Sequence, residues 1–596
     1  MKNFRYILFF ALLTLFGGLP FGSYAQDGSA LPTEKPKEER PAVRFNGLGR
    51  TILQDTQIDG DALAGDTVTS RRLTDGEFLL DLEINAQPNE KTEVGSILRL
   101  RNEFGGFFGA GMSVEVRELW ARGIIADALE YHVGDMDVAM TPYTFYFFDE
   151  EGSVNLPEAF RAQREVIYYE QFYHEGNTRR VQGAKLDFGL GFTKILREAD
   201  FNAFISRVRG TDFLITPTRF TSGGQASFTT RKLYSDWNTK ADFGFNLVHT
   251  FDDLMSGDAN RGIRNTVGTF NWNVQIFKDE DYALNFLGET GMSRVIDKED
   301  STFFDRDDVF LDAGLKFTWR KPNVSVTASF VDVGPDYFSM AAQSRRIDLR
   351  NERALYDRIG NEAARRPLSM FDITRDRALY TFELSDVLMP YDPRFSNTMP
   401  YGLATPNRRG FRFTAEQGAD QDLVNARIDA AAMTEIRGQG TEELKDFLLL
   451  RGSANLNVNK LIDWDSRQRI TLGYQYESTQ RGGLPVEQID LVSNLLEVGV
   501  ETELFDGFDI LLGMKFLDAR GNEFIPTIDQ FNEVRDFPTR FEADDREQLY
   551  AAGFRYRFKE GVYLTIQYHG LNSRVQRPEI DNFNLNQVFV IYNMMF

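Results

Sequence analysis

Three observations predict an all-β chain folded as a single large antiparallel barrel set in a membrane. Segments of about ten residues with one unbroken apolar face recur along most of the chain. The opposite face of those segments mixes glycine with full charges, as a wet lumen does. Beyond the amino terminus no run of eighteen apolar residues occurs, so no transmembrane helix is predicted.

A chain of 596 residues would ordinarily divide into several soluble domains. A membrane barrel escapes that rule, because each added hairpin widens one structure. The composition suits it: 42% hydrophobic and 13% aromatic residues, with 52 Phe and 49 Gly. A net charge of −22 argues against nucleic acid as a partner, since phosphates would be repelled. There is no Cys, hence neither disulfide nor thiol chemistry, and a count of four His argues against a His-rich metal site. No cofactor is predicted.

Lys2 and Arg5, the apolar run Tyr6 to Phe16, and the small residues Ser23 and Ala25 form a secretory signal peptide over 1–25. It is too short for a membrane anchor. Residues 26–76 read as a periplasmic lead. Asp27 to Pro41 is rich in Pro, Lys and Glu, and Val43 to Leu53 has the pattern of a short first strand. The barrel proper is expected over 77–596.

The alternation is clear from Glu77, where Phe78, Leu80, Leu82 and Ile84 oppose Leu79, Asp81, Glu83 and Asn85. After the turn residues Gln87 to Glu90 it continues with Val94, Leu98 and Leu100, then Val114 and Val116, then Leu129, Tyr131 and Val133. It resumes at Ala184 to Phe192, Ala241 to Leu247, Phe270 to Ile276, Leu311 to Trp319 and Val324 to Phe330. The last third is the most regular, running through Leu448 to Val458, Ile470 to Tyr476, Val492 to Leu504, Phe508 to Phe516, Tyr550 to Phe558 and Val562 to Tyr568. A soluble sandwich would also bury one face. These segments exceed the usual soluble strand, and Trp319, Phe516, Phe558 and Tyr568 sit at apolar-face ends, as an interfacial girdle would. The expected total is about 20 strands, an even number.

Connections are expected to alternate between tight turns, as at Asp506-Gly507 and Glu560-Gly561, and long loops, as over Pro142 to Arg164, Asp518 to Asp545 and Gly570 to Asn586. The longest interruption, 332–445, reads as a partly helical inserted loop, with helix-forming stretches at Ser344 to Arg366 and Asp420 to Met433. It would constrict the lumen, cap its mouth or contact a protein partner.

The last ten residues set Val588, Val590, Tyr592, Met594 and Phe596 on one apolar face, with Gln587, Phe589, Ile591, Asn593 and Met595 on the other. A terminal Phe after alternating apolar and aromatic residues resembles the closing strand of bacterial outer-membrane β-barrels, the porin-like superfamily. The resemblance covers roughly 77–596 in architecture and terminal strand only. It implies outer-membrane lipid around the wall. It also implies Tyr592 and Phe596 as the insertion signal read by the barrel-assembly machinery.

By parity Arg99, Arg101, Arg117, Lys185, Lys515, Arg555 and Arg557 point into the lumen, as do Glu83, Glu115, Asp187, Glu477, Glu497, Glu501 and Asp509. Arg99, Arg101 and Arg117 are either a basic ladder for an anionic solute or struts paired with Glu83 and Glu115. Asp297 to Asp300 with Asp305, Asp307 and Asp308 form a solvated acidic loop without the spacing of a calcium loop. His132, His174, His249 and His569 lack metal-ligand spacing, and no nucleophile elbow or Ser/His/acid set occurs, so no enzyme is predicted.

Two functions fit: a porin-like channel for small polar or anionic solutes, or a plugged accessory barrel of a secretion or assembly complex. A TonB-dependent transporter is disfavoured, because Gln26 to Glu77 is too short for a separate plug domain.

Overall fold

The computed structural model describes residues 43–596 apart from 61–70, 105–111, 147–154, 172–178, 212, 214–216, 235–238, 254–260, 300–301, 343–392, 395–396, 526–537 and 576–581. The signal peptide over 1–25, the lead as far as residue 42, His174 and the helix-forming run 344–366 lie outside the described residues.

The strand series opens with β1 (Val43–Gly60), β2 (Arg71–Asn89), β3 (Thr92–Glu103), β4 (Met112–Ile125) and β5 (Leu129–Val138). A helix, α1 (Glu158–Gln171), precedes β6 (Arg179–Gly191), β7 (Leu196–Arg209), β8 (Thr218–Thr230) and β9 (Lys240–Asp253). Then come β10 (Arg261–Lys278), β11 (Tyr282–Glu299), β12 (Thr302–Trp319) and β13 (Val324–Val333). Beyond a long connection lie β14 (Arg408–Gln417), β15 (Val424–Thr434), β16 (Asp446–Asn457) and the short helix α2 (Asn459–Ile462). The series ends with β17 (Gln468–Arg481), β18 (Ile489–Phe505), β19 (Phe508–Ile525), β20 (Thr539–Lys559), β21 (Val562–Val575) and β22 (Phe583–Met595).

Each strand pairs antiparallel with the next, and β1 pairs with β22, so the 22-stranded sheet closes on itself. Closure leaves no edge of unpaired backbone, which is the condition for a sheet in lipid. At one end most connections are tight turns, such as those at Glu90-Lys91 and Asp506-Gly507, and at the other most are longer. The exceptions are the nine and ten residues that join β8 to β9 and β16 to β17 at the first end, and the two that join β11 to β12 at the second. Both the start of β1 and the end of β22 lie at the tight-turn end. On β19, Phe508, Ile510, Leu512, Met514 and Phe516 face outward while Asp509, Leu511, Lys515 and Leu517 are buried inside. Nine residues of tilted strand span roughly 23 Å, the height of a bilayer's apolar band.

At the seam, the Gly47 and Phe596 backbones exchange hydrogen bonds of 3.0 and 3.1 Å. A Cβ on Gly47 would come within 2.6 Å of the Phe596 ring, so the glycine makes room for the closing aromatic. Changing Tyr592 and Phe596 together to Asp should therefore leave the protein unassembled, since outward charge costs up to a few kcal/mol in lipid. Heat-modifiable gel migration of the membrane fraction checks this. Wild-type assembly of the double variant would contradict the seam.

The count is 22 strands rather than about 20. The interval 332–445 is not one helical insert, because β14 and β15 lie inside it. The stretch Asp420 to Met433, expected as a helix, is a turn and β15. Its Ala-rich face reads as helical, but the partners Arg409–Gln417 and Asp446–Leu456 impose a strand. Among the described residues, the helix in the lumen is α1, from the connection between β5 and β6.

Candidate functional site

The inner wall carries apolar patches where a water-filled barrel would be polar, and four of them seat inserted segments. Phe589 and Ile591 on β22 and Ile52 on β1 are buried against Ala162 and Val166 of α1. Leu511, Leu549, Ala551, Leu571 and Leu585 enclose Ala159 and Phe160. On the opposite side, Tyr143 and Tyr337 pack with Val267, Phe310, Val331, Met433, Phe447 and Leu449. Phe145 and Ala341 pack with Val181, Phe204, Val208 and Val248.

α1 follows Pro157, which suits a helix start, and its Ala159, Ala162, Val166 and Tyr169 recur at three and four residues, giving one face to the wall. The helix lies along the wall from β18 round the seam to β4. At its first turn Arg555 donates to Glu158 at 2.5 Å, where an acid also suits the helix dipole. The wall is cut to receive it. A Cβ on Gly499 would come 2.5 Å from Pro157, and one on Gly513 would come 2.8 Å from Phe160 and 2.9 Å from Ala159. Midway, the Tyr563 hydroxyl donates to Glu165 at 3.1 Å.

The last turn of α1 enters a cage of arginines. The Tyr169 hydroxyl donates to Asp81 at 2.6 Å, and its backbone carbonyl accepts from Arg117. The guanidiniums of Arg50, Arg99 and Arg117 lie 5.6, 5.9 and 4.5 Å from the centre of its ring. Arg99 holds Asp81 through two bonds of 2.8 and 2.7 Å, and Arg117 adds a third at 2.8 Å. Glu77 faces Arg50 at 3.6 Å and Arg101 at 3.4 Å.

Nearer the end with the long connections, residues 139–146, 334–342, 393–394 and 397–407 form a second inserted layer. The Tyr337 hydroxyl donates to the Tyr143 carbonyl at 2.8 Å, and the Tyr143 hydroxyl donates to Asp312 at 3.0 Å. Burial pushes both phenols above their ordinary range. Arg394, almost fully buried, lies between Asp545 at 2.8 Å and Glu547 at 3.3 Å. Asn397 donates to Thr479 at 2.6 Å and to Glu523 at 2.7 Å. The Arg437 guanidinium beside Asp336 holds that carboxyl below its ordinary range. This layer meets the wall from β5 to β20, so the two layers together reach every sector of it.

The lumen positions read from parity are found on the inner wall, but mostly in ion pairs. Lys185 pairs with Asp187 at 3.1 Å, Lys515 with Glu497 at 2.9 Å, and Arg557 with Glu503 at 2.7 Å and Asp509 at 3.1 Å. Glu115 is exposed. Arg99 and Arg117 converge on Asp81, rather than on the expected Glu83 and Glu115. Sequence reasoning missed Arg50, Asp81 and Tyr169 as one site, because it joins the paired strands β1 and β2 to a helix in the distant connection between β5 and β6. The available signal was Phe589 and Ile591, two large apolar residues on a face that otherwise should have been wet.

No protein-family model and no curated sequence matches the chain. Among solved structures, the copper transporter OprC is similar over 93% of this chain and 81% of its own, at 11% identity and a TM-score of 0.46. The ferric citrate transporter FecA in its unliganded form is similar over 92% and 78%, at 9% identity and a TM-score of 0.45. OpdQ of Pseudomonas aeruginosa is similar over 93% and 98%, at 9% identity and a TM-score of 0.31. Closure and the apolar outer band are the features that make this chain a barrel of the outer-membrane type.

Proposed function

We propose that the protein is an outer-membrane channel or transporter for small polar or anionic solutes whose lumen is occupied at rest by its own loops. Passage, on this reading, requires α1 to leave its seat. The observation that carries it is the complementarity of α1 to the wall, from Gly499 and Gly513 through Ile52, Phe589 and Ile591 to Asp81. A barrel of this strand number is wide enough to need a plug. Outer-membrane lipid, the barrel-assembly machinery during insertion and the solute are its partners, and its work is passage rather than catalysis.

The apolar seats also favour a second reading, a plugged accessory barrel that docks a protein through the connection between β13 and β14. Liposome swelling separates the two. Replacing residues 155–171 by a Gly-Ser linker should let succinate and small sugars enter far faster than through the wild type. If the replaced protein assembles but admits neither, the accessory reading holds.

A further inference from the structure

The sheet has no free edge strand, but one of its joints is short. β4 and β5 pair only from Trp120–Gly134 to Ile125–Leu129, although both strands run on towards the long-connection end. Beyond that point β4 keeps its ladder to β3 as far as Met112, opposite Asn102. β5 keeps its ladder to β6 as far as Val138, opposite Arg179. The wall forks between them.

Particular residues build the fork. Arg117 is an extra residue in β4 where the register to β3 shifts between Ile97 and Leu98, and such a bulge bends its strand. Gly134 sits at φ +106°, where a Cβ would come 2.2 Å from the Leu119 carbonyl oxygen. The Asp135 carboxylate accepts from the Leu119 N–H at 2.8 Å and from Gln182 at 2.9 Å, so a side chain ends the ladder in place of the next backbone pair. At the base of the fork Arg180 of β6 reaches past β5 to pair with Glu118.

Above that base, alternate residues of Met112 to Val116 direct their N–H and C=O away from β3 and towards no described strand. Met112, Val114 and Val116 are 61, 68 and 60% exposed, against 46 and 44% for Leu512 and Met514 on β19, which is paired on both sides. Ser113 and Glu115, on the inner face, are exposed as well. Val114 and Val116 lie in register with Leu100 and Leu98, and through them with Leu80 and Leu82, so the fork reaches into the apolar band. Backbone polar groups at that depth are tolerated only beside water or protein.

We infer that the fork is a lateral portal, which passes a single-chain amphiphile between the lumen and the leaflet at the long-connection end. The chain lies against Met112, Val114 and Val116, and the polar head meets the free backbone groups and Glu115. A wholly apolar molecule would leave those polar groups unsatisfied, and a wholly polar one would gain nothing from the valines. The portal lies beyond the contact of Arg117 with Tyr169, so its use does not require α1 to leave its seat.

The chain's lack of cysteine makes the fork addressable. Val116→Cys and, separately, Val114→Cys are compared with Leu512→Cys in the fully paired wall. Each is made in the full chain and placed in phosphatidylcholine bilayers, with heat-modifiable migration confirming an intact barrel. A water-soluble maleimide reacts with the thiolate, which hydrocarbon disfavours, so the fork positions should label at least about tenfold faster than the control. Lysophosphatidylcholine at about ten times its dissociation constant should slow them about tenfold by mass action and leave Leu512→Cys unchanged. Glycerophosphocholine, the same head without a chain, should slow neither. Fork positions that label as slowly as Leu512→Cys would overturn the opening. Fast labelling that lysophosphatidylcholine leaves unchanged, or that glycerophosphocholine slows equally, would overturn the amphiphile site.

Discussion

Asp81→Ala should be among the most damaging single changes in the barrel. Its carboxylate is 2% exposed and accepts from Arg99, Arg117 and Tyr169 at once. Removing it leaves two guanidiniums packed on the inner wall without that carboxylate and frees the hydroxyl that fastens the end of α1. Breaking a buried pair from one side costs about 3–5 kcal/mol. Denaturant unfolding in bilayers should show that loss. Asp81→Asn keeps the shape and one acceptor and should cost less. A loss under about 1 kcal/mol, as for a surface pair, would mean that water reaches this sector freely.

Arg394→Ala should rank beside it, acting on the other inserted layer. Asp545 and Glu547, both 0% exposed, would lose the cation that lies between them. The same one-sided rule gives about 3–5 kcal/mol, and residues 393–407 should then become sensitive to added protease. Replacing the set together, Arg394→Met with Asp545→Asn and Glu547→Gln, should recover most of the loss. Failure of that combination to recover stability would show that Arg394 acts through contacts other than its charge.

Much of the wall was legible because lipid imposes a simple rule on one face. From Phe508 to Phe516 on β19 and from Val588 to Phe596 on β22 the outer face is apolar at every second position, since each of those side chains meets hydrocarbon. Legibility failed where the inner face is not polar. On β7, inward Phe204 and Val208 blur the alternation, because they are buried beneath Phe145 and Ala341. On β8 the run Thr221-Ser222-Gly223-Gly224-Gln225 is small and polar on both faces, so no period shows. Strand ends beyond the apolar band also escaped. β19 and β20 continue past Phe516 and before Tyr550 with charge on both faces, and a polar strand there looks like a loop.

Arg99, Arg117, Lys515 and Arg555 lie on the inner wall in ion pairs, and parity does not tell a solute path from a socket. What decides is the partner, and the partners come from far along the chain. Glu158 meets Arg555 across 397 residues, and Tyr169 meets Asp81 across 88. No periodicity encodes such pairings. The run Val588 to Tyr592, which puts Phe589 and Ile591 on the inner face of β22, was the trace they left in the sequence.

The most direct test of the occupied lumen is the single-channel current of the unmodified protein in a planar bilayer. With α1 and the second layer seated, it should insert without a steady open-pore current, and current should appear when residues 155–171 are replaced by the linker. A large, steady and voltage-independent current from the unmodified protein would contradict the account, because an unobstructed barrel of 22 strands conducts as soon as it inserts.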